Sequence, residues 1–124
     1  MTKRVLVVED DDGIREIIQI SLESIAGWTV WTASSGKEGI AIAQAQPLDL
    51  ILLDVVMPEE HGTVVFQKLQ ADRETRSIPT ILLTAKAKAS ERQALMELGV
   101  DGIITKPFQA KILATTIKQI LSWS

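Results

Sequence analysis

The chain of 124 residues has no cysteine, which excludes disulfides, thiolate nucleophiles and zinc–thiolate centres. It lacks a basic stripe as well: 13 Lys and Arg stand against 16 Asp and Glu, for a net charge of −3. Phosphate backbones are gripped by clustered Lys or Arg, so direct nucleic-acid binding by this chain is not expected. No apolar run approaches the roughly 20 residues needed to span a bilayer. The opening MTKRVLVVEDDD is no signal peptide, because its apolar stretch is short and acids follow it directly. No membrane association is expected, and cytoplasmic is the default location. No linker, repeat or low-complexity segment interrupts residues 1–124, which read as a single domain. With 46% apolar and 23% charged residues, the composition is that of a folded protein able to bury its own core.

Short apolar runs alternate with amphipathic stretches. The runs are Arg4–Glu9, Thr29–Ala33, Leu48–Asp54, Thr80–Thr84 and Gly102–Thr105. They are rich in Val, Ile and Leu without strict alternation, as strands covered on both faces should be. Helix-period segments lie between and after them. Gly13–Ala26 places Ile14, Ile17, Ile18 and Leu22 on one side. Ser35–Ala45 opens with a serine cap and Glu38 three residues on, a capping-box pattern. Gly62–Ala71 carries Val65, Phe66 and Leu69, and Ala89–Leu98 ends at Gly99, placed as a C′ glycine. Gln109–Trp123 carries Leu113, Ile117, Ile120 and Leu121. Five such alternations predict an α/β fold with a five-stranded, doubly wound parallel sheet. Ligands of such sheets bind beyond the carboxyl ends of the strands.

Chemistry-bearing residues fall at those ends. Glu9, Asp10 and Asp11 close the first run, Asp54 the third and Thr84 the fourth, while Lys106 follows the fifth, just before Pro107. Gathered carboxylates repel one another unless a cation sits among them, and a hard divalent ion with oxygen ligands is the natural remedy. A lysine from a further strand end suits an anion held beside that ion. Together these residues suggest a carboxylate that receives a phosphoryl group.

At these residues the chain resembles the receiver domains of two-component response regulators, the group that includes the chemotaxis response regulator. The resemblance runs from Lys3 to about Leu121. It rests on the acidic pair after the first strand, Asp54 followed by Met57-Pro58, Thr84-Ala85, and Lys106-Pro107-Phe108. It implies a flavodoxin-like (βα)5 three-layer sandwich. Asp54 would be the phosphoacceptor, with Asp10, Asp54 and the Val56 carbonyl ligating Mg2+ and Glu9 acting through a metal-bound water. Thr84, the Ala85 amide and Lys106 would hold the phosphoryl oxygens, with Lys106–Pro107 cis. The donor would be a phosphohistidine on a sensor histidine kinase or phosphotransfer protein. The chain would be a signalling switch rather than an enzyme, stand-alone and without an output domain.

Each residue has a plainer alternative. The acidic triplet could be a solvated helix N-terminus, and Asp11 is expected to be only that. Thr84 could simply close a strand, and Lys106 could be a surface lysine before a turn. Their joint occurrence favours the site. Trp28, Trp31 and Met57 are expected to be packing residues, and His61 has no assigned role.

Several positions depart from the family pattern. Val56 and Lys86 border the path of an attacking water; an apolar Val56 cannot orient one, so slow loss of the phosphoryl group is expected. Glu59 and Glu60 add negative charge that would disfavour small anionic donors such as acetyl phosphate. Ile103 replaces the Tyr or Phe of many relatives, so a switch pairing it with Thr84 would lack an aromatic lever. Ile112 and Thr116 replace charged pairing residues, and Ile112 with Ile103 could form an apolar spot for self-association through the fourth helix, fifth strand and fifth helix. The alternatives are a receiver belonging to a longer, for example DNA-binding, regulator; a haloacid-dehalogenase-type phosphatase; and a flavodoxin-like cofactor binder. Val56 stands where such a phosphatase needs its second Asp. The acidic first loop would repel a cofactor phosphate.

Overall fold

The structure is a computed structural model that describes residues 2–85 and 88–124. Five parallel strands form one sheet: β1 (Arg4–Val8), β2 (Thr29–Ala33), β3 (Leu50–Asp54), β4 (Thr80–Thr84) and β5 (Gly102–Thr105), in the order β2-β1-β3-β4-β5. Five α-helices alternate with them: α1 (Asp12–Ile20), α2 (Gly36–Ala45), α3 (Gly62–Ala71), α4 (Ala89–Met96) and α5 (Leu113–Leu121). None among the described residues is long and apolar enough to cross a membrane.

Burial follows position in the sheet. Every residue of the central strands β3 and β4 is buried, whereas the edge strand β5 alternates between buried and half-buried. Successive side chains leave opposite faces. Leu6, Val8, Ile51, Leu53 and Leu82 therefore join Val65, Phe66 and Leu69 of α3 in one core layer. Val5, Val7, Leu50, Leu52, Ile81 and Leu83 join Ile18 of α1 and Leu113 and Ile117 of α5 in the other. At the amino ends of the strands, Asp49 accepts the Arg4 amide at 2.8 Å and Asp101 accepts the Thr80 amide at 2.9 Å. The aspartate before one strand thus ties down the start of its neighbour.

The helices refine the expected boundaries. The first predicted helix is split: α1 ends at Ile20 and a π-turn follows over Ser21–Ile25. Ser21, buried in that turn, donates its hydroxyl to the Ala110 carbonyl at 2.5 Å. Ile18 and Leu22 face the core as expected, but Ile17 is 51% exposed, so the apolar stripe is wider than the core contact. The fifth helix starts late, after a 3₁₀ turn over Ala110–Ile112. Asp11 caps α1 through the Ile14 amide at 2.9 Å. Ser35 caps α2 through the Glu38 amide at 3.2 Å, and Glu38 returns to the amide of Ser34, one residue earlier than a reciprocal box requires. Gly99 has φ +101°, the left-handed conformation expected there, but lies two residues beyond the α4 cap at Glu97.

The chain's end folds back on its beginning. Ser122 is left-handed, the Trp123 amide returns to the Lys118 carbonyl at 2.8 Å, and the Trp123 ring meets Trp28 edge-on at 5.6 Å. Lys3 sits 4.4 Å over the Trp123 ring.

Gly62 opens α3 against the backbone of Asp54, and its amide bonds the Val55 carbonyl at 2.8 Å. A methyl group there would collide with the Asp54 carbonyl. Backbone cannot step aside as a flexible side chain can, so Gly62→Ala is expected to destabilise the fold by about 2–3 kcal/mol. Urea unfolding measures this; an unchanged midpoint would refute the constraint.

Candidate functional site

Strand register brings the polar ends level. Val8 pairs with Leu53, Asp54 with Leu83 and Thr84 with Thr105. The residue after each strand stays laddered to its neighbour: Glu9 to the Ala33 carbonyl at 3.0 Å, Val55 to Leu83 at 3.0 Å and Lys106 to Thr84 at 2.8 Å. Glu9, Asp54 and Lys106 therefore leave a rigid edge rather than loose loops.

Oxygens of Glu9, Asp10 and Asp54 all lie within 4.8 Å of one another. Lys106 reaches into them, its Nζ 2.6 Å from Glu9 Oε1 and 2.9 Å from Asp54 Oδ1. Glu9 and Thr84 are each 1% exposed and Asp54 4%, while Asp10 is half-buried. Asp11 donates its amide to Glu9 Oε2 at 3.3 Å, so its contributions are a cap and a backbone bond. Lys106–Pro107 is cis, as expected. Ala85 is exposed just past β4, and Val56, two residues past Asp54, is 60% exposed. Lys86 lies outside the described residues.

One ammonium cannot neutralise this many carboxylates. Burial raises Glu9 from its ordinary 4.5 to about 7; the Lys106 hydrogen bond opposes the rise, and Asp54 adds to it. For Lys106, burial works to lower the pKa, but its hydrogen bonds to Glu9 and Asp54 prevail and raise it. Among the described residues the donor set is all oxygen, hard and short of positive charge, which fits a divalent ion of the magnesium type.

Other predicted residues are placed less centrally. Ile103 is half-buried against the core layer that holds Leu82, while Ile112 is 49% exposed. Met57 and Trp28 are buried, and Trp31 packs against the core with Arg4 over its ring at 5.2 Å. His61 is exposed at the start of α3. Glu60 pairs with Lys68 at 2.5 Å. Two contributors escape sequence reasoning: Gly62 beneath Asp54, and Arg15, whose Nη1 bonds the Glu9 carbonyl at 2.9 Å. The Asp12–Arg15 spacing signals an ion pair on a helix, but nothing in it signals a bond to a strand-end carbonyl.

The raised Glu9 value fixes a pH dependence. Below about pH 4.5 Glu9 is protonated whether the chain is folded or not. Between about 4.5 and 7 the unfolded chain has lost that proton and the folded one keeps it, so this group's contribution to stability falls as pH rises. Metal-free protein is expected to lose on the order of 3 kcal/mol from this group across that window. Denaturant unfolding at stepped pH, with Glu9→Gln alongside, measures it. Equal pH slopes for parent and variant would contradict the assignment.

The family model for the response regulator receiver domain matches residues 5–118. Among curated relatives, the probable transcriptional regulator ycf27 of Cyanophora paradoxa is 40% identical over 119 residues, covering 96% of this chain and 48% of the relative. The alkaline phosphatase synthesis transcriptional regulatory protein PhoP of Bacillus subtilis is 36% identical over 98% of this chain and 49% of its own length. The chain thus spans about half the length of these relatives. Chemotaxis response regulator CheY4 of Vibrio cholerae superposes with a TM-score of 0.89 at 29% identity, over 97% of this chain and 99% of that one. The receiver domain of the sensor histidine kinase PA1611 of Pseudomonas aeruginosa, which has magnesium coordinated in its active-site cleft, superposes at 0.85 with 26% identity, over 98% and 99% of the two chains. With the acidic cluster and its lysine at the carboxyl edge of a β2-β1-β3-β4-β5 sheet, the chain belongs to the response regulator receiver domain family.

Proposed function

We propose that this receiver accepts a phosphoryl group on Asp54 from a phosphohistidine and changes partner binding as a result. The observation that carries the proposal is Lys106 Nζ held at 2.9 Å from Asp54 Oδ1 inside the carboxylate cluster. Asp10, Asp54 and the Val56 carbonyl would hold magnesium, and Glu9 would act through a bound water. The ion would neutralise charge on the transferred group.

A carboxylate is a weak nucleophile, so the site works by positioning and electrostatics. An oxygen of Asp54 forms the new bond to phosphorus as the phosphorus–nitrogen bond of the donor breaks and its electron pair returns to the imidazole. Lys106 then exchanges carboxylate partners for phosphoryl oxygens, with the Thr84 hydroxyl and Ala85 amide as further donors. The new charge beside Thr84 biases the adjoining loops toward a partner-binding state. The protein assists its own phosphorylation and slow hydrolysis, and is a switch rather than an enzyme.

Labelling with a phosphorylated donor in the presence of magnesium tests this. Asp54→Asn is expected to abolish labelling, and chelation to suppress it in the parent. Equal labelling of Asp54→Asn would sink the proposal. In the same assay, Val56→Asn is expected to shorten the lifetime of the phosphorylated form, because Val56 presents no polar group to a water.

A partly apolar surface adjoins this site and suits the donor protein. A cleft of about 390 Å³ is lined by Ile14, Ile17, Ala85, Lys106, Pro107 and Phe108. A second apolar hollow continues from Ile17 past Ile20 and Ile25. These last three isoleucines are 51%, 53% and 58% exposed. The first cleft shares Lys106 with the phosphoryl site, so a helix bearing phosphohistidine could seat there while its imidazole reaches Asp54. Ile17→Asp is expected to raise the KM for a protein donor about tenfold, from the loss of one buried isoleucine, and to leave acetyl phosphate labelling unchanged. Equal loss with both donors would show a damaged site instead.

A second reading follows from length. The curated relatives are about twice as long, which favours a receiver that works within a longer regulator. The gene sequence beyond the codon for Ser124 distinguishes it from a stand-alone switch.

A further inference from the structure

Two of the three clustered carboxylates project from the turn between β1 and α1, and a guanidinium braces the backbone of that turn. Arg15, in the first turn of α1, directs Nη1 to the Glu9 carbonyl at 2.9 Å and Nη2 to Asp12 Oδ1 at 2.5 Å. The Arg15 side chain is 20% exposed and that of Asp12 90%. An ion pair with so exposed a partner contributes little. The bond to the carbonyl is sheltered and charge-assisted, and so stronger than a neutral one. That carbonyl belongs to the peptide joining Glu9 to Asp10. Fixing its plane fixes the direction in which both side chains leave the turn. The Glu9 amide is held by Ala33, Glu9 Oε2 by the Asp11 amide and Oε1 by Lys106, whereas Arg15 is the side chain that restrains the carbonyl, and so the plane, of this peptide.

We propose that Arg15 is a positioning residue of the acidic site, holding the Glu9–Asp10 peptide so that the carboxylates converge on one cation. The inference rests on reading that cluster as a magnesium site. It makes a claim opposite in sign to simple electrostatics. A guanidinium near the site repels a cation, so deleting it should tighten metal binding if charge were its only influence. If bracing dominates, deletion weakens binding despite the relief of repulsion.

Magnesium alone is the probe, titrated calorimetrically at fixed ionic strength into parent, Arg15→Met and Arg15→Lys, with metal-free unfolding midpoints recorded alongside. Arg15→Met is expected to weaken magnesium binding about tenfold, the scale of losing a group that orients a ligand. Arg15→Lys is expected to weaken it about threefold, because an ammonium lacks the planar fork that spans the carbonyl and Asp12. A folded Arg15→Met that binds magnesium as tightly as the parent, or more tightly, overturns the proposal. Should that variant not fold, Arg15→Lys decides, and unchanged affinity in it is equally fatal. A parent that takes up no magnesium would overturn the site assignment itself, and this inference with it.

Discussion

Among the described residues, positive charge is short at one end of the sheet, and that shortage governs this molecule. Glu9, Asp10 and Asp54 converge within 4.8 Å, and Lys106 alone is shared between two of them. Like charges this close, with Glu9 and Asp54 almost wholly removed from water, cannot all remain ionised without help. Two features answer this: an ammonium bridges Glu9 and Asp54, and burial pushes the Glu9 carboxyl up to about 7. Both answers are provisional from a chemical standpoint. A divalent ion would restore Glu9 to its ionised form, and a phosphoryl group would give Lys106 a new anion.

Such convergence needs a stiff support. The parallel strands end level, and the ladder continues one residue beyond β1, β3 and β5 into the very loops that hold the functional groups. Beneath them, two layers of aliphatic side chains fill the space between sheet and helices. Gly62 closes the arrangement by letting α3 start directly against the Asp54 backbone.

Much of this was legible in the residues themselves. Val, Ile and Leu without strict alternation marked all five runs as strands covered on both faces, which β3 and β4 meet fully and the edge strand β5 only in part. Acids and a lysine at strand ends marked the pocket, since topology brings strand ends together whatever the intervening sequence. The cap at Ser35 was equally plain, being local, whereas Asp11, expected only as an acid near a helix start, proves to be the α1 cap. The losses were of another kind. Ile17 carries the helical period of a core residue yet faces outward, because periodicity reports which residues share a face and not how wide the contact is. The π-turn at Ser21–Ile25 and the delayed start of α5 are settled jointly, through the Ser21 bond to Ala110, 89 residues away. Arg15 and Gly62 act on backbone carbonyls, and a carbonyl has no letter in a sequence. Ile103, set as half of an apolar spot, spends part of its surface on the core.

The three tryptophans share a consequence of their own. Trp28 and Trp123 meet edge-on near the point where the chain enters the sheet, and Trp31 lies along the outer strand, so none stands at a strand's carboxyl end. Intrinsic emission from this molecule will therefore report on β2, the core beside it and the docked chain end rather than on the carboxyl edge of the sheet. Spectroscopic sight of the opposite pole calls for an emitter placed there by design.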